Sequence, residues 1–172
     1  AWIDEGALQV PSTVTAIYDI QYVSDPETDD ASPLNGQEVT ISGVVTAEFW
    51  GSDQNRYLCV QDAPGPWNGV VCFMYGGWDS FNILDGAGNE IGTMAEGDSV
   101  TITGTVDEYY NLTEVTDITE AVNHGPANNA IAPDVVTPGQ VMTDGTEAEA
   151  YEGCLVQVND VSVDDPDLGN GE

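Results

Sequence analysis

Side chains able to do chemistry are few in kind in this 172-residue chain: one histidine, three cysteines, and 31 aspartates and glutamates. A general base, a nucleophile or a zinc site needs His or Cys converging on carboxylates. His124 stands alone in the turn-forming stretch VNHGPANN, where a solvated loop histidine is the ordinary outcome. Carboxylate pairs are so abundant that finding one carries almost no information. The sequence offers no catalytic residue, and a non-enzymatic protein is expected.

The carboxylates fit another chemistry better. Calcium takes several oxygens from Asp, Glu, Asn and backbone carbonyls in flexible loops. Residues 25–30 (DPETDD) supply Asp25, Asp29 and Asp30, and residues 164–172 (DDPDLGNGE) supply Asp164, Asp165, Asp167 and Asn170. Solvated acidic turns are the alternative for both, and neither has EF-hand spacing. Cys59 and Cys72 would face each other across two strands if the turn between them centres on Gly65-Pro66, which permits a disulfide; two buried reduced thiols are the rival. Cys154 has no evident partner and is either a small apolar residue or a link outside the chain. Asn111-Leu112-Thr113 is an N-glycosylation sequon, or ordinary hairpin sequence that matches one. Trp50, Trp67, Trp78, Tyr109 and Tyr110 fall near strand ends, where they would stack on a ligand such as a sugar, plug a barrel mouth or pack at an interface.

The elements that position these residues read as strands. Residues 39–49 (VTISGVVTAEF) alternate around Gly43, and residues 99–108 repeat the pattern around Gly104; a mid-strand glycine marks a bulge or barrel corner. Further strands are expected at 57–61, 70–75, 112–118 and 155–163. Residues 14–22 fit a short helix or a strand, and residues 147–151 a single helical turn. Two long strands kinked at glycine suit a small closed barrel. The expected fold is all-β, an OB-type five-stranded barrel over residues 13–124. An N-terminal arm (1–12), a connector (125–150) and an additional β segment (151–172) complete the chain.

Charge bounds the partners. One Arg and no Lys leave a formal net charge of −30. Such a field repels nucleic acid and anionic membranes, both of which are bound through Lys and Arg. No apolar run is long enough to span a bilayer. An extracellular or cell-surface setting, with salt or calcium relieving the self-repulsion, follows from this balance.

The order IYDIQ, ASPLNGQEVTISGVVTA, YLCVQD, PWNGVVCF, EGDSVTITGTVDEYYNLTEV resembles the OB-fold domain that accompanies secreted bacterial nucleases and large surface proteins, over roughly residues 13–120. The resemblance implies an OB fold, an extracellular location and an accessory role beside a catalytic domain. It carries no nuclease activity, and the charge departs from what a single-strand-binding barrel needs.

Residues 151–163 are strongly β-prone yet stand apart from the barrel, and a lone strand invites pairing. An incomplete second barrel is one explanation. Completion of residues 151–172 by residues 1–10 of a neighbour is the other, and a head-to-tail contact of that kind builds filaments. The leading expectation is a self-assembling subunit of a surface fibre, with copies of itself as partners and calcium between them. The alternative is an accessory carbohydrate- or substrate-binding domain of a larger secreted hydrolase.

Overall fold

The computed structural model describes residues 13–51, 55–77, 82–143 and 145–162. The strands are β1 (Glu38–Trp50), β2 (Arg56–Gln61), β3 (Gly69–Met74), β4 (Ile83–Asp85), β5 (Asp98–Glu108), β6 (Thr113–Pro126), β7 (Asp134–Val136) and β8 (Val156–Val158). Among the described residues, helical structure is limited to α1 (Ile17–Gln21), α2 (Pro138–Val141) and a 3-10 turn, Glu149–Tyr151.

Antiparallel pairing runs β3-β2-β1-β5-β6, and a parallel pairing of β3 with β6 at Val71–Glu114 and Cys72–Val115 closes the ring. That is a five-stranded barrel of OB type, to which β4 adds as a parallel edge beside β6. Alternation decides what fills it. In β5 every second residue (Val100, Ile102, Val106) is buried, and Ile41, Leu58, Val60, Val70, Cys72 and Val115 meet them in one core.

The strand glycines act where two strands come too close for a side chain. A Cβ on Gly43 would lie 2.5 Å from the Gln61 carbonyl oxygen, and one on Gly104 2.6 Å from that of Thr116. At Gly104 the register also shifts, between Thr103 and Thr105, as a bulge requires. In β1 the bulge falls instead between Val45 and Ala47, so Gly43 serves the close approach alone. Val45 keeps the inward phase of Val39 and Ile41, and the bulge after it reverses that phase so that Phe49 faces out.

Helix α1 is too short to be stable by propensity. It forms because Ile17, Ile20 and Gln21, spaced for one helical face, are buried against the barrel. The Ile17 N–H, free at the helix start, donates to Asp62 Oδ2 at 2.9 Å.

Several elements extend beyond their expected limits. The last barrel strand continues to residue 126, so His124 lies on β6 and not in a loop; its Nε2 is 2.9 Å from the Thr101 hydroxyl. The region 125–150 supplies β7 as well as a connection, and β8 is shorter than expected. It pairs in parallel with β7 (Asp134–Val156 to Val136–Val158), so the terminal segment has a partner strand within its own chain.

Candidate binding face

Where Leu58, Val60, Val70, Cys72 and Met74 point inward, their neighbours must point out. The outward set on β1–β3 begins with a row of rings. Phe49 pairs with Tyr57, and Tyr57 with Phe73, in the strand register. The Phe49 and Tyr57 rings stack at 4.9 Å with 2° between their planes; Phe73 follows at 5.0 Å, and Tyr75 meets Phe73 edge-on at 6.4 Å. Cross-strand aromatic pairs of this kind stabilise a sheet surface. The row nevertheless remains open to solvent, with Phe49 45% and Tyr75 75% exposed.

Beside the row, Trp50 lies over the guanidinium of Arg56, and Arg56 Nη1 bonds Glu48 Oε1 at 2.7 Å. Arg56 is buried and sits opposite Met74, so the chain's single arginine closes this mouth of the barrel. Trp50 itself stays 64% exposed.

The other end of the same face is covered by the chain's own later residues. Gly69 has no side chain, and the Gly153 carbonyl and Cys154 amide occupy the space a Cβ would need. The Leu155 N–H donates to Gln61 Oε1 at 2.6 Å and the Trp67 N–H to the Ala150 carbonyl at 2.6 Å. The cover leaves Gln61 and Val71 buried although they are on the outer side. The Cys154 thiol lies 3.6 Å from the Gly65 carbonyl.

Carboxylates gather where this cover meets the barrel. The Thr113 N–H donates to Glu152 Oε2 at 2.9 Å, while the Thr113 hydroxyl and the Ser32 N–H both donate to Glu108 Oε1 at 2.7 Å. Asp30, Asn111, Glu149, Tyr151 and Glu152 line a cleft of about 680 Å³ there. Burial, and then the neighbouring Asp30 and Glu108, push Glu149 up to about 7. Burial is also the largest cause for Glu152, with Glu149, Glu108 and Asp30 adding to it; these outweigh the Thr113 hydrogen bond and raise it to about 8.

Several residues singled out by sequence find simpler roles. Trp67, at φ 66°, sits edge-on to Tyr22 at 5.5 Å, away from the aromatic row. Tyr109 and Tyr110 are exposed and pack on each other at the β5–β6 turn. Asn111, exposed in the same turn, donates from Nδ2 to Asp30 Oδ2 at 2.6 Å. Asp25 accepts from Thr28, and Asp29 from the Ala31 N–H, as turn-closing acceptors. Among the described residues, no group of three or more His, Cys, Asp or Glu is placed to hold a metal ion. Trp78, Asp164, Asp165, Asp167 and Asn170 lie outside the described residues, as do the arm 1–12 and residues 163–172.

The proposed Cys59–Cys72 bridge is corrected. Cys59 pairs with Val71 and Cys72 with Leu58, one residue out of step, so the thiols take opposite faces and both are free. Cys72 belongs to the core and Cys59 to the outer face. Burial raises both thiols well above their usual range, Cys59 to about 11. Both stay protonated at neutral pH and are poor nucleophiles.

Phe49, Tyr57, Phe73 and Tyr75 were missed by the sequence reading. Their signal is the phase of alternation: in RYLCVQ, burying Leu58 and Val60 sends Tyr57 out. The carboxylates Glu108, Glu149 and Glu152 had no signal among so many acids.

No family model matches the chain, and no curated protein matches it in sequence. Solved structures are similar to it at low identity. An OBody (AM3L15) bound to hen egg-white lysozyme is 18% identical, with 69% of this chain and 95% of that one covered and a TM-score of 0.47. A replication protein A heterotrimer bound to ssDNA gives 14%, 67%, 80% and 0.40 in the same order. The hypothetical protein YgiW from E. coli gives 19%, 52%, 76% and 0.35. The strand order β3-β2-β1-β5-β6, closed by the parallel pairing of β3 with β6, makes the chain an OB-fold barrel.

Proposed function

We propose that the chain is a non-catalytic extracellular binding module whose outer β1–β3 face engages neutral carbohydrate. The observation that carries this reading is the open row Phe49–Tyr57–Phe73–Tyr75, continued at the barrel mouth by the exposed Trp50. OB barrels bind oligonucleotides and oligosaccharides on the face of their second and third strands. The apolar C–H faces of sugar rings pack on aromatic surfaces, and a neutral ligand escapes the repulsion that a net charge of −30 imposes on phosphates. An accessory domain beside a secreted nuclease or other hydrolase is the setting this reading suits. Calcium, at the concentrations found outside cells, would screen the excess charge.

Affinity electrophoresis through gels containing neutral polysaccharides tests it. Retardation is expected in at least one gel and should weaken at least about tenfold in Kd when Tyr57 and Phe73 are both replaced by alanine, a loss of about 1.4 kcal/mol. Unchanged mobility across the panel, or equal retardation of the double variant, overturns the reading.

A second reading, head-to-tail assembly of copies, is favoured by the small sheet β7–β8. Two three-residue strands are marginal alone, and among the described residues each has an open outer edge. Growth of light scattering with protein concentration in millimolar calcium is expected on this reading; a monomer throughout rejects it.

A further inference from the structure

The segment that covers the far end of the outer face meets the barrel through its backbone and through carboxylates. Its contacts with the barrel are of two kinds. One is neutral and geometric: Gly153 and Cys154 seated on bare Gly69, and the Leu155 N–H on Gln61 Oε1. The other is the carboxylate cleft, where Glu149 and Glu152 of the cover face Asp30 of the loop after α1 and Glu108 at the end of β5. Glu114 on β6 is also raised, by burial first and then by Asp107 and Glu108, so it adds to the crowding. On the cover's other side, the Tyr151 hydroxyl is 3.3 Å from Asp134, and Glu147 accepts from Gln140. No cation answers this cluster, because Arg56 is the chain's only basic side chain apart from His124. Arg56 is committed to Glu48 at the barrel mouth, and His124 meets Thr101 on β6.

We propose that residues 145–158 form a proton-operated cover over the ligand face. It is closed while the cleft carboxylates are protonated, and it lifts as they ionise to expose the outer surface of β2 and β3 beyond the aromatic row.

The sign follows from the two states. With the cover lifted, Glu149 and Glu152 return to the ordinary carboxylate value near 4.5. With it closed they titrate near 7 and 8. Closure therefore takes up protons between those limits. Its stability is fully present below about 4.5 and is lost as pH rises through 7 to 8. The covered part is not idle surface. Cys59, Gln61, Gly69 and Val71 continue the strands that carry Tyr57 and Phe73, so lifting the cover lengthens the face available to an extended chain of sugars. That consequence rests on the carbohydrate reading; the motion itself does not.

The test follows methyl resonances of Leu155, Val156 and Val158 in the full chain, without ligand, from pH 5.5 to 9. These should move together through one transition with a midpoint between about 4.5 and 8, while Ile41 and Ile102 in the core stay fixed. Glu152→Gln keeps an acceptor for the Thr113 N–H and removes the charge. In that variant the transition should shift to higher pH or vanish, and in Glu149→Gln/Glu152→Gln it should be absent. Static cover resonances in the native chain, core methyls moving in step with them, or a double variant that titrates like the native chain would each overturn the proposal. Polysaccharide gels run at pH 6 and pH 9 then separate the two readings. Stronger retardation at pH 9 is expected, whereas no retardation at either pH removes the carbohydrate reading and leaves the cover standing on its resonances.

Discussion

At Gly43 two strands of the barrel approach so closely that the smallest possible addition is felt. A methyl there would meet the Gln61 carbonyl oxygen at 2.5 Å and a Val60 methyl at 2.9 Å. Neither neighbour can retreat, since Gln61 is anchored by Leu155 and Val60 is core. Gly43→Ala should therefore cost about 1–3 kcal/mol as an overpacking substitution, read as a lower urea midpoint with an unchanged slope. Gly43 and Gly104 were visible in the sequence as breaks in alternating runs, but what each does was not. A bulge and a close approach leave the same letter, and the partner strand decides between them. The two strand thiols, Cys59 and Cys72, show the opposite limit. Centring the turn half a residue late put Cys59 opposite Cys72. Since side chains alternate along a strand, that slip moved one thiol from the outer face to the core.

Among the elements, β1, β2, β3 and β5 were legible almost to the residue, because their apolar positions alternate and turn residues bound them. The strand after Asn111 was cut short. Asp117 has a positive φ of 46°, and the β5 register shifts opposite it, so a bent strand there resembles an ended one. The strands β4 and β7 are three residues each and hold through parallel pairing with distant partners, β6 and β8, a relation that local pattern does not carry. The aromatic row belongs to this scale as well. Phe49, Tyr57 and Phe73 are far apart in sequence, and only the register of three strands makes them neighbours. The cover depends on longer reach still, with Glu152 meeting Thr113 and Leu155 meeting Gln61.

Across the whole molecule the excess of acid was the plainest signal, and it says more about conditions than about fold. A net charge of −30 on a small barrel works against compaction, and among the described residues the Glu48–Arg56 pair offsets part of it. Raising sodium chloride from 0.1 to 1 M shortens the screening length from about 10 to about 3 Å. The melting temperature should climb over that range by calorimetry, and a flat or falling profile would show that repulsion is not what limits stability.

The parallel closure of β3 against β6 has a consequence during synthesis. β3 emerges with a free hydrogen-bonding edge rich in valine, and its partner at Glu114–Val115 is translated much later. At ribosomal speeds of about 5–20 residues per second, that edge waits for roughly a few seconds. Neighbouring nascent chains on one message could join edge to edge in that interval. Two such chains, each with 31 acidic residues against one arginine, repel one another, so the charge that burdens the finished barrel opposes that pairing while the edge is still open.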